Sequence, residues 1–172
     1  HADALRVDPD KLAVCGDSAG GNLAAVVAIM ARDSGAFAVS AQALIYPVTD
    51  CRGGTPSHER YGKGYGILEA ETVTWFAERY LPDPELHDDW RASPRNAVSH
   101  AELPTALVLT AECDVLRDEG AAYAVQLRTA NVPVEHVEFP GMIHGFFGYL
   151  GLVDDAERAH HTVAQFLQRI WE

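Results

Sequence analysis

The strongest structural signal in this sequence is the pentapeptide Gly16-Asp17-Ser18-Ala19-Gly20. The apolar residues 11–15 precede it and predict a short buried strand. Nearly every residue of segment 22–30 is Leu, Ala, Val or Ile, and a helix that is apolar on all sides is a buried helix. We therefore expect a sharp turn from a strand into a helix, with the serine at the tip of the turn.

This context gives the Gly-x-Ser-x-Gly pattern a chemical meaning. In a nucleophile elbow the strained serine, here Ser18, projects its hydroxyl above the sheet at the amino end of the next helix. We expect Gly16 and Gly20 to be required, because the turn leaves room only for glycine two residues on either side. Asp17 is expected to be a structural hydrogen-bonding residue of the elbow. The Ala19 backbone N–H and the helix end would stabilise a developing oxyanion.

A serine hydroxyl is a weak nucleophile until a base takes its proton, and eight histidines compete for that role. We select His144, because it lies between two glycines just past the last predicted strand, in a loop that can reach Ser18. His160 and His161 are expected to be exposed on the final helix. The remaining five lie in terminal, loop or strand positions without a catalytic neighbour in sequence: His1, His58, His87, His100 and His136.

The base needs a carboxylate that holds its tautomer and stabilises the imidazolium. We select Asp114, which follows a predicted strand at a distance suited to reaching across a loop. Glu112, Asp118 and Asp50 are the alternatives. Asp118 and Glu119 have the position of first-turn residues that complement a helix dipole, which is a structural role.

The rest of the chain alternates strands with helices, which predicts βαβ units and a mostly parallel sheet. Strands are predicted at 11–15, 41–46, 106–110 and 134–139, the last ended by Pro140-Gly141. Helices are predicted at 22–30, at 118–130 with Asn131 as a left-handed cap, and around Val163, Phe166, Leu167, Ile170 and Trp171. The order serine, aspartate, histidine along such a chain is the order of the α/β-hydrolase fold.

Residues 51–92 break the alternation, since about forty residues are too many for an ordinary connection between two strands. We predict a cap inserted over the carboxyl end of the sheet, where open α/β folds bind ligands. The core then consists of residues 1–50 and 93–172. Four aromatic residues are candidates to line an apolar pocket, although aromatic residues at such spacing are more often core: Tyr65, Trp75, Phe76 and Phe147.

Composition excludes several classes of partner. The net charge of -12 would repel nucleic acid and anionic membrane surfaces, and no apolar run approaches the ~18 residues of a membrane span. Residues 1–5 do not resemble a signal peptide. The three cysteines are an odd number at wide spacing, which predicts neither a disulfide framework nor a metal site and favours a cytoplasmic location.

Three segments in order resemble the motifs of the bacterial hormone-sensitive-lipase-like esterases. Residues 16–24 look like the nucleophile motif of the branch with Asp before the serine, residues 114–120 like the acid motif, and residues 141–146 like the histidine motif. The likeness covers nearly the whole chain from Arg6 onward. Val115 stands where the family commonly has proline, which we expect to change loop stiffness and little else.

The resemblance implies a truncated α/β-hydrolase fold that carries part of a cap. It also implies a triad of Ser18, Asp114 and His144 that hydrolyses carboxylic esters with short to medium acyl chains, through an acyl-enzyme and without metal or cofactor. The family's His-Gly-Gly stretch, which supplies further oxyanion donors, has no counterpart upstream of the elbow. Losing one such donor costs about 2.7–4 kcal/mol of transition-state stabilisation. We therefore expect the carboxyl-terminal portion of a longer enzyme, with weak turnover of its own.

The same resemblance leaves the predicted strand 11–15 as an unpaired sheet edge, and the helix 22–30 without part of its cover. Such an edge favours self-association. Two alternatives to a catalytic esterase remain open: a non-catalytic ligand-binding relative, like the plant gibberellin receptors that lack the histidine, and an inactive fragment of a longer esterase. The joint presence of Ser18, Asp114 and His144 argues against the ligand-binding relative.

Overall fold

The computed structural model describes residues 2–172, so the expectation for His1 lies outside the described residues. Four parallel strands form one sheet in the order β1-β2-β3-β4. The strands are β1 (Ala13–Asp17), β2 (Ala41–Ile45), β3 (Thr105–Cys113) and β4 (Val134–Ile143). The helices are α1 (Ala2–Leu5), α2 (Ala19–Ser34), α3 (Pro56–Tyr61), α4 (Ala70–Tyr80), α5 (Arg117–Thr129) and α6 (Asp154–Trp171), with short 3-10 helices at Pro84–Asp88, Pro94–Asn96 and Phe146–Gly148.

The sheet lies between two layers of helices. On one face Leu44 of β2 packs with Ile29 of α2 and Leu127 of α5. On the other face Ile45, the next residue of β2, belongs to a cluster with Phe166 of α6. Neighbouring residues of a strand point to opposite faces, so a central strand covered on both sides is mostly apolar. Gln42 is the exception in β2, and its buried side-chain amide donates to the Pro104 carbonyl at 3.0 Å. The predicted mostly parallel α/β fold is confirmed.

The prediction that Pro140-Gly141 ends the last strand is wrong, because β4 continues to Ile143. Proline lacks the N–H that a ladder needs and is tolerated on edge strands, and β4 is the outer strand next to β3. The pairing shifts in register between Ala111 and Cys113. The irregular end of β4 is the segment that leads into the loop of the expected base.

The expectation that the helix after the elbow is buried on all sides is only partly right. Leu23 and Met30 of α2 are 55% and 50% exposed, because α2 packs on the sheet with one side only. Among residues 2–172, β1 is paired only with β2 and is one edge of the sheet. The expected α5 and α6 are present, and Asn131 has the predicted left-handed conformation with φ 62°.

Segment 51–92 contains α3 and α4 between β2 and β3. None of the residues of α4 is buried, and Trp75, Phe76 and Tyr80 are all at least half exposed. The segment is thus helical, and α4 lies outside the core, whereas Ser57 and Tyr61 of α3 are buried. The boundaries of the segment as a separate cap remain a prediction.

Candidate active site

The turn between β1 and α2 has the strained geometry that the pentapeptide predicts. Ser18 has φ 53° and ψ −120°, a region that residues with a side chain rarely occupy. Its backbone N–H donates to the Ile45 carbonyl at 2.9 Å, and its own carbonyl accepts from Asn22 at 3.1 Å. The strain is therefore held by backbone hydrogen bonds on both sides of the residue.

The two glycines of the pentapeptide have different roles. A Cβ on Gly16 would lie 2.2 Å from the Gly20 carbonyl oxygen, so no larger residue fits there. A Cβ on Gly20 would meet only the Asp17 carboxylate, at 3.9 Å, which is an ordinary contact. The expected steric requirement at Gly20 is therefore wrong. Gly21 is the tighter position, since its Cβ would lie 2.9 Å from the Pro47 side chain.

The structure brings Ser18, His144 and Asp114 into one hydrogen-bonded line. His144 Nε2 lies 2.9 Å from Ser18 Oγ, and its Nδ1 lies 2.7 Å from Asp114 Oδ2. The other carboxylate oxygen of Asp114 accepts from the Leu116 N–H at 2.9 Å. His144 and Asp114 are buried, whereas Ser18 is partly exposed. This arrangement can pass a proton from the serine hydroxyl to the imidazole and stabilise the charge that results.

The alternative carboxylates are engaged elsewhere. Glu112 accepts from the Gly141 N–H at 2.8 Å, and Asp118 accepts from the Ser57 N–H at 2.8 Å. Asp50 forms an ion pair with Arg95. None of the three therefore holds the His144 ring.

Five of the other six described histidines have hydrogen bonds elsewhere in the structure rather than with Ser18, and His161 is exposed. Ring nitrogens of His100 and His136 lie 3.0 Å from the Pro94 carbonyl oxygen and from Thr110 Oγ1 respectively. The expectation that His160 is exposed is only partly right, because its ring stacks on Phe147 with the ring centroids 3.7 Å apart.

An apolar cavity of about 390 Å³ lies over Ser18. Its walls come from the elbow, from the segments after β2 and β3, and from α4 and the residues just before it; they include Ala19, Leu23, Val48, Leu68, Phe76, Tyr80 and Leu116. Phe76 is the one predicted aromatic residue in this lining, while Tyr65, Trp75 and Phe147 are not part of it. The cavity suits an uncharged apolar group held next to the serine hydroxyl.

Residues 1–148 match the model of a protein family that is described by its alpha/beta hydrolase fold. The chain belongs to the alpha/beta hydrolase fold family. It is similar to an ethyl acetate hydrolase of Pseudomonas putida, at 40% identity over 170 residues, covering 98% of this chain and 53% of that protein. It is also similar to a carboxylesterase of Mycobacterium tuberculosis, at 38% identity over 162 residues, covering 92% and 50% of the two chains.

Two solved structures of esterases superpose closely on the chain. A thermostable carboxylesterase cloned from a metagenomic library has a TM-score of 0.95 at 44% identity, with 99% of this chain and 58% of that chain covered. An esterase of the archaeon Pyrobaculum calidifontis has a TM-score of 0.89 at 45% identity, with 98% and 54% covered. The chain thus spans about half the length of the relatives it matches.

Glu119 is a buried residue of the candidate site whose role the sequence did not reveal. Its carboxylate accepts from the backbone N–H groups of Thr49 at 2.7 Å and Asp50 at 3.2 Å, and its second oxygen is buried without a partner. Burial raises its pKa to about 8, although the two N–H donors act in the opposite direction. An acidic residue near the start of a helix is usually exposed. The buried role of Glu119 depends on where residues 49–50 lie in the folded chain, which the sequence does not show.

Asn22 is a second residue that the apolar pattern concealed. From the first turns of α2 its side-chain amide donates to the carbonyls of Val48, at 2.9 Å, and Ala92, at 2.7 Å. It thereby ties the elbow helix to both ends of the segment that includes α4. The signal in the sequence was the single side-chain amide of Asn22 in the otherwise apolar segment 22–30.

Among the side chains that the structure describes, those of residues 2 and 4–172, no three or more of His, Cys, Asp or Glu form a group that could hold a metal ion. Across that same range, no helix is both long and apolar enough to cross a membrane.

Proposed function

We propose that this chain carries the catalytic machinery for hydrolysis of carboxylic esters, with Ser18 as nucleophile, His144 as base and Asp114 as the acid that orients it. The observation that carries the proposal is the continuous line from Ser18 Oγ to Asp114 Oδ2 through the imidazole, with steps of 2.9 and 2.7 Å. The esterase names of its relatives agree with it.

In the first half of the proposed reaction, Ser18 Oγ attacks the ester carbonyl carbon and its proton passes to His144 Nε2. The resulting imidazolium is stabilised by the Asp114 carboxylate. Negative charge develops on the carbonyl oxygen near the amino end of α2, whose first N–H groups, beginning with that of Ala19, lack partners within the helix. His144 then returns the proton to the alcohol oxygen as the carbon–oxygen bond breaks, which leaves an acyl group on Ser18.

In the second half, a water molecule takes the place of the alcohol. His144 accepts one water proton while the hydroxide oxygen attacks the acyl carbon. The proton then passes to Ser18 Oγ, and a carboxylic acid leaves. The sequence of steps needs no metal or cofactor.

The substrate class that we propose is an ester with a short to medium acyl chain. The support is the apolar lining of the cavity that contains Ser18, Leu23 and Phe76. Residues 51–92 would act as the cap over this cavity, since α4 supplies one of its walls.

We also propose that the chain is the carboxyl-terminal portion of a longer bacterial enzyme in which other residues supply further oxyanion donors. The support is the coverage of about half of each relative. The edge position of β1 supports self-association of the 172-residue chain, which sedimentation velocity would test. The three free cysteines support a reducing, cytoplasmic location.

The test is an assay of the chain with p-nitrophenyl acetate and butyrate, beside Ser18→Ala and His144→Ala. We expect turnover in the wild-type chain and its loss to background in both variants. His161→Ala, a change at an exposed histidine of α6, is the matched control and should retain full activity. Turnover that persists in Ser18→Ala would overturn the assignment of the nucleophile.

A second readout separates weak turnover from a missing nucleophile. A fluorophosphonate reagent forms a stable adduct with an activated serine, and mass spectrometry locates it. We expect the adduct on Ser18 and a large loss of labelling rate in His144→Ala. A wild-type chain with neither turnover nor adduct would favour the inactive fragment or the ligand-binding relative.

A further inference from the structure

Tyr46 is the residue that connects the nucleophile segment with the base. It follows β2 directly, and its backbone N–H donates to the Leu109 carbonyl at 2.7 Å. Its φ is 34°, in the left-handed region, where a residue with a bulky side chain is a genuine outlier. Strain of this kind persists only where the surrounding structure imposes it, and it concentrates at functional sites.

The backbone on both sides of Tyr46 holds Ser18. The carbonyl of Ile45 accepts the Ser18 N–H at 2.9 Å, and the N–H of Val48 donates to the Ser18 carbonyl at 3.3 Å. Segment 45–48 therefore forms hydrogen bonds with both the backbone N–H and the backbone carbonyl of Ser18. A displacement of this segment would displace Ser18 with it.

The side chain of Tyr46 contacts the base instead. Its ring centroid lies 4.6 Å from that of His144, with 53° between the planes, and 5.8 Å from that of Phe146. The ring is buried, with only 1% of the residue exposed. Since interiors are close-packed, the His144 ring cannot rotate towards this side without moving the phenol.

The phenol adds no charge to the site. Burial first, and then the carboxylates of Asp17 and Asp114, raise the pKa of Tyr46 well above its ordinary value. The ring therefore stays neutral beside His144, and its effect is one of shape and position.

We propose that Tyr46 is a positioning residue that sets the distance between Ser18 Oγ and His144 Nε2. Segment 45–48 holds Ser18 through backbone hydrogen bonds and contacts the His144 imidazole through the ring of Tyr46. The same segment therefore positions both reacting groups. The proposal rests on the proposed ester hydrolysis, for which that distance controls proton transfer. It predicts that the ring is needed and that the hydroxyl is not.

The test compares Tyr46→Phe, which keeps the ring, with Tyr46→Leu, which removes it. We expect Tyr46→Phe to keep kcat for p-nitrophenyl butyrate within about threefold. Tyr46→Leu should lose about 10–10²-fold in kcat with KM within about twofold, because misplacement by ~1 Å can cost that much. Phe146→Leu is the matched control, since this neighbouring buried aromatic residue packs on Tyr46 and Phe139.

A spectroscopic readout does not depend on turnover. Ring nitrogen chemical shifts of histidine labelled with nitrogen-15 report the tautomer, and the His144→Ala spectrum identifies the signals of His144. At mildly alkaline pH we expect one tautomer, with the proton on Nδ1, in the wild type, in Tyr46→Phe and in Phe146→Leu. Tyr46→Leu should give a mixture of tautomers, because the ring no longer has a fixed orientation towards Asp114.

The outcomes are separable. Wild-type kcat and a single His144 tautomer in Tyr46→Leu would overturn the proposal, and so would equal effects of Tyr46→Leu and Phe146→Leu. If Tyr46→Leu does not fold by circular dichroism, Tyr46→Met takes its place with the same expectation. A wild-type chain without Ser18-dependent turnover contradicts the proposed function, while the tautomer measurement still decides the role of Tyr46.

Discussion

Asp114 and Phe76 lie at the same end of the molecule, yet Asp114 is 1% exposed and Phe76 is 56% exposed. Asp114 belongs to what we name the cavity floor, which consists of Ser18, the one of these residues that lines the cavity, and the buried residues Tyr46, Asp114 and His144 behind it. Phe76 belongs to the cavity roof, which is α4 (Ala70–Tyr80). The floor is held by backbone hydrogen bonds from two neighbouring strands and by close packing, whereas no residue of the roof is buried.

The difference shows how a binding site can be both precise and adaptable. Proton transfer requires reacting atoms within a few tenths of an ångström of their working positions, so the floor lies on the rigid sheet. An apolar substituent needs only contact, so the roof can be a helix with few buried contacts, and such elements open locally at low free-energy cost. Substitutions in the floor should therefore change stability and chemistry, and substitutions in the roof should change substrate binding.

The largest effect that we expect is that of Gly16→Ala, in the turn that carries Ser18 of the floor. The new Cβ would lie 2.2 Å from the Gly20 carbonyl oxygen, and backbone cannot move aside as a flexible side chain can. We expect a loss of at least about 3 kcal/mol in the free energy of unfolding, measured by urea denaturation.

Gly20→Ala is the matched control in the same turn. Its Cβ meets nothing closer than 3.9 Å, and alanine favours a helix by about 1 kcal/mol over glycine. We expect unchanged or slightly increased stability. Equal destabilisation by the two variants would contradict the difference between the two glycines.

The next effect is on how the free energy of unfolding depends on pH, and it concerns Glu119. Glu119 has an ordinary pKa of 4.5 and a folded-state pKa of about 8, so the folded chain keeps a proton that the unfolded chain releases between these values. The stability that this proton confers is complete at low pH and falls by about 1.4 kcal/mol per pH unit through the window. Glu119→Gln cannot titrate and should not show this part of the fall.

The measurement is the free energy of unfolding of wild type and Glu119→Gln from pH 5 to pH 9. His58 and His136 have pKa values lowered by burial, so stability from them is lost as pH falls, and the comparison of the two proteins cancels this contribution. Glu157→Gln, at an exposed position of α6, controls for the change in charge. A difference between wild type and Glu119→Gln that does not vary with pH would show that Glu119 is ionised in the folded chain.

The smallest effect that we expect is in the roof. Phe76→Ala removes an apolar wall of the cavity and should raise KM for p-nitrophenyl butyrate about threefold to tenfold. Stability should change by less than about 0.5 kcal/mol, because the side chain is largely exposed. Trp75→Ala, next to it on α4 but outside the cavity lining, should leave KM within about twofold. A larger loss of stability than of substrate binding in Phe76→Ala would show that the roof is part of the core.

Much of this fold could be predicted from the sequence. Strands and helices alternate, and the apolar periodicity of α6 is local information that needs no partner. The nucleophile turn was equally predictable, since the strain at Ser18 and the lack of space at Gly16 arise within a few residues. The pattern did not indicate that β4 would pass Pro140, because that depends on its place at the edge of the sheet.

The candidate site divides in the same way. The motifs singled out Ser18, Asp114 and His144, and the structure brings the three into hydrogen-bond contact, while their catalytic roles stay predictions. Each stands in a short segment with its own turn chemistry, which is why the sequence by itself determined them. Tyr46 and Glu119 were decided by the tertiary structure alone. Their partners are distant in the chain, as with Glu119 and Thr49, 70 residues apart, and such contacts exist only after parallel strands place their carboxyl ends at one edge.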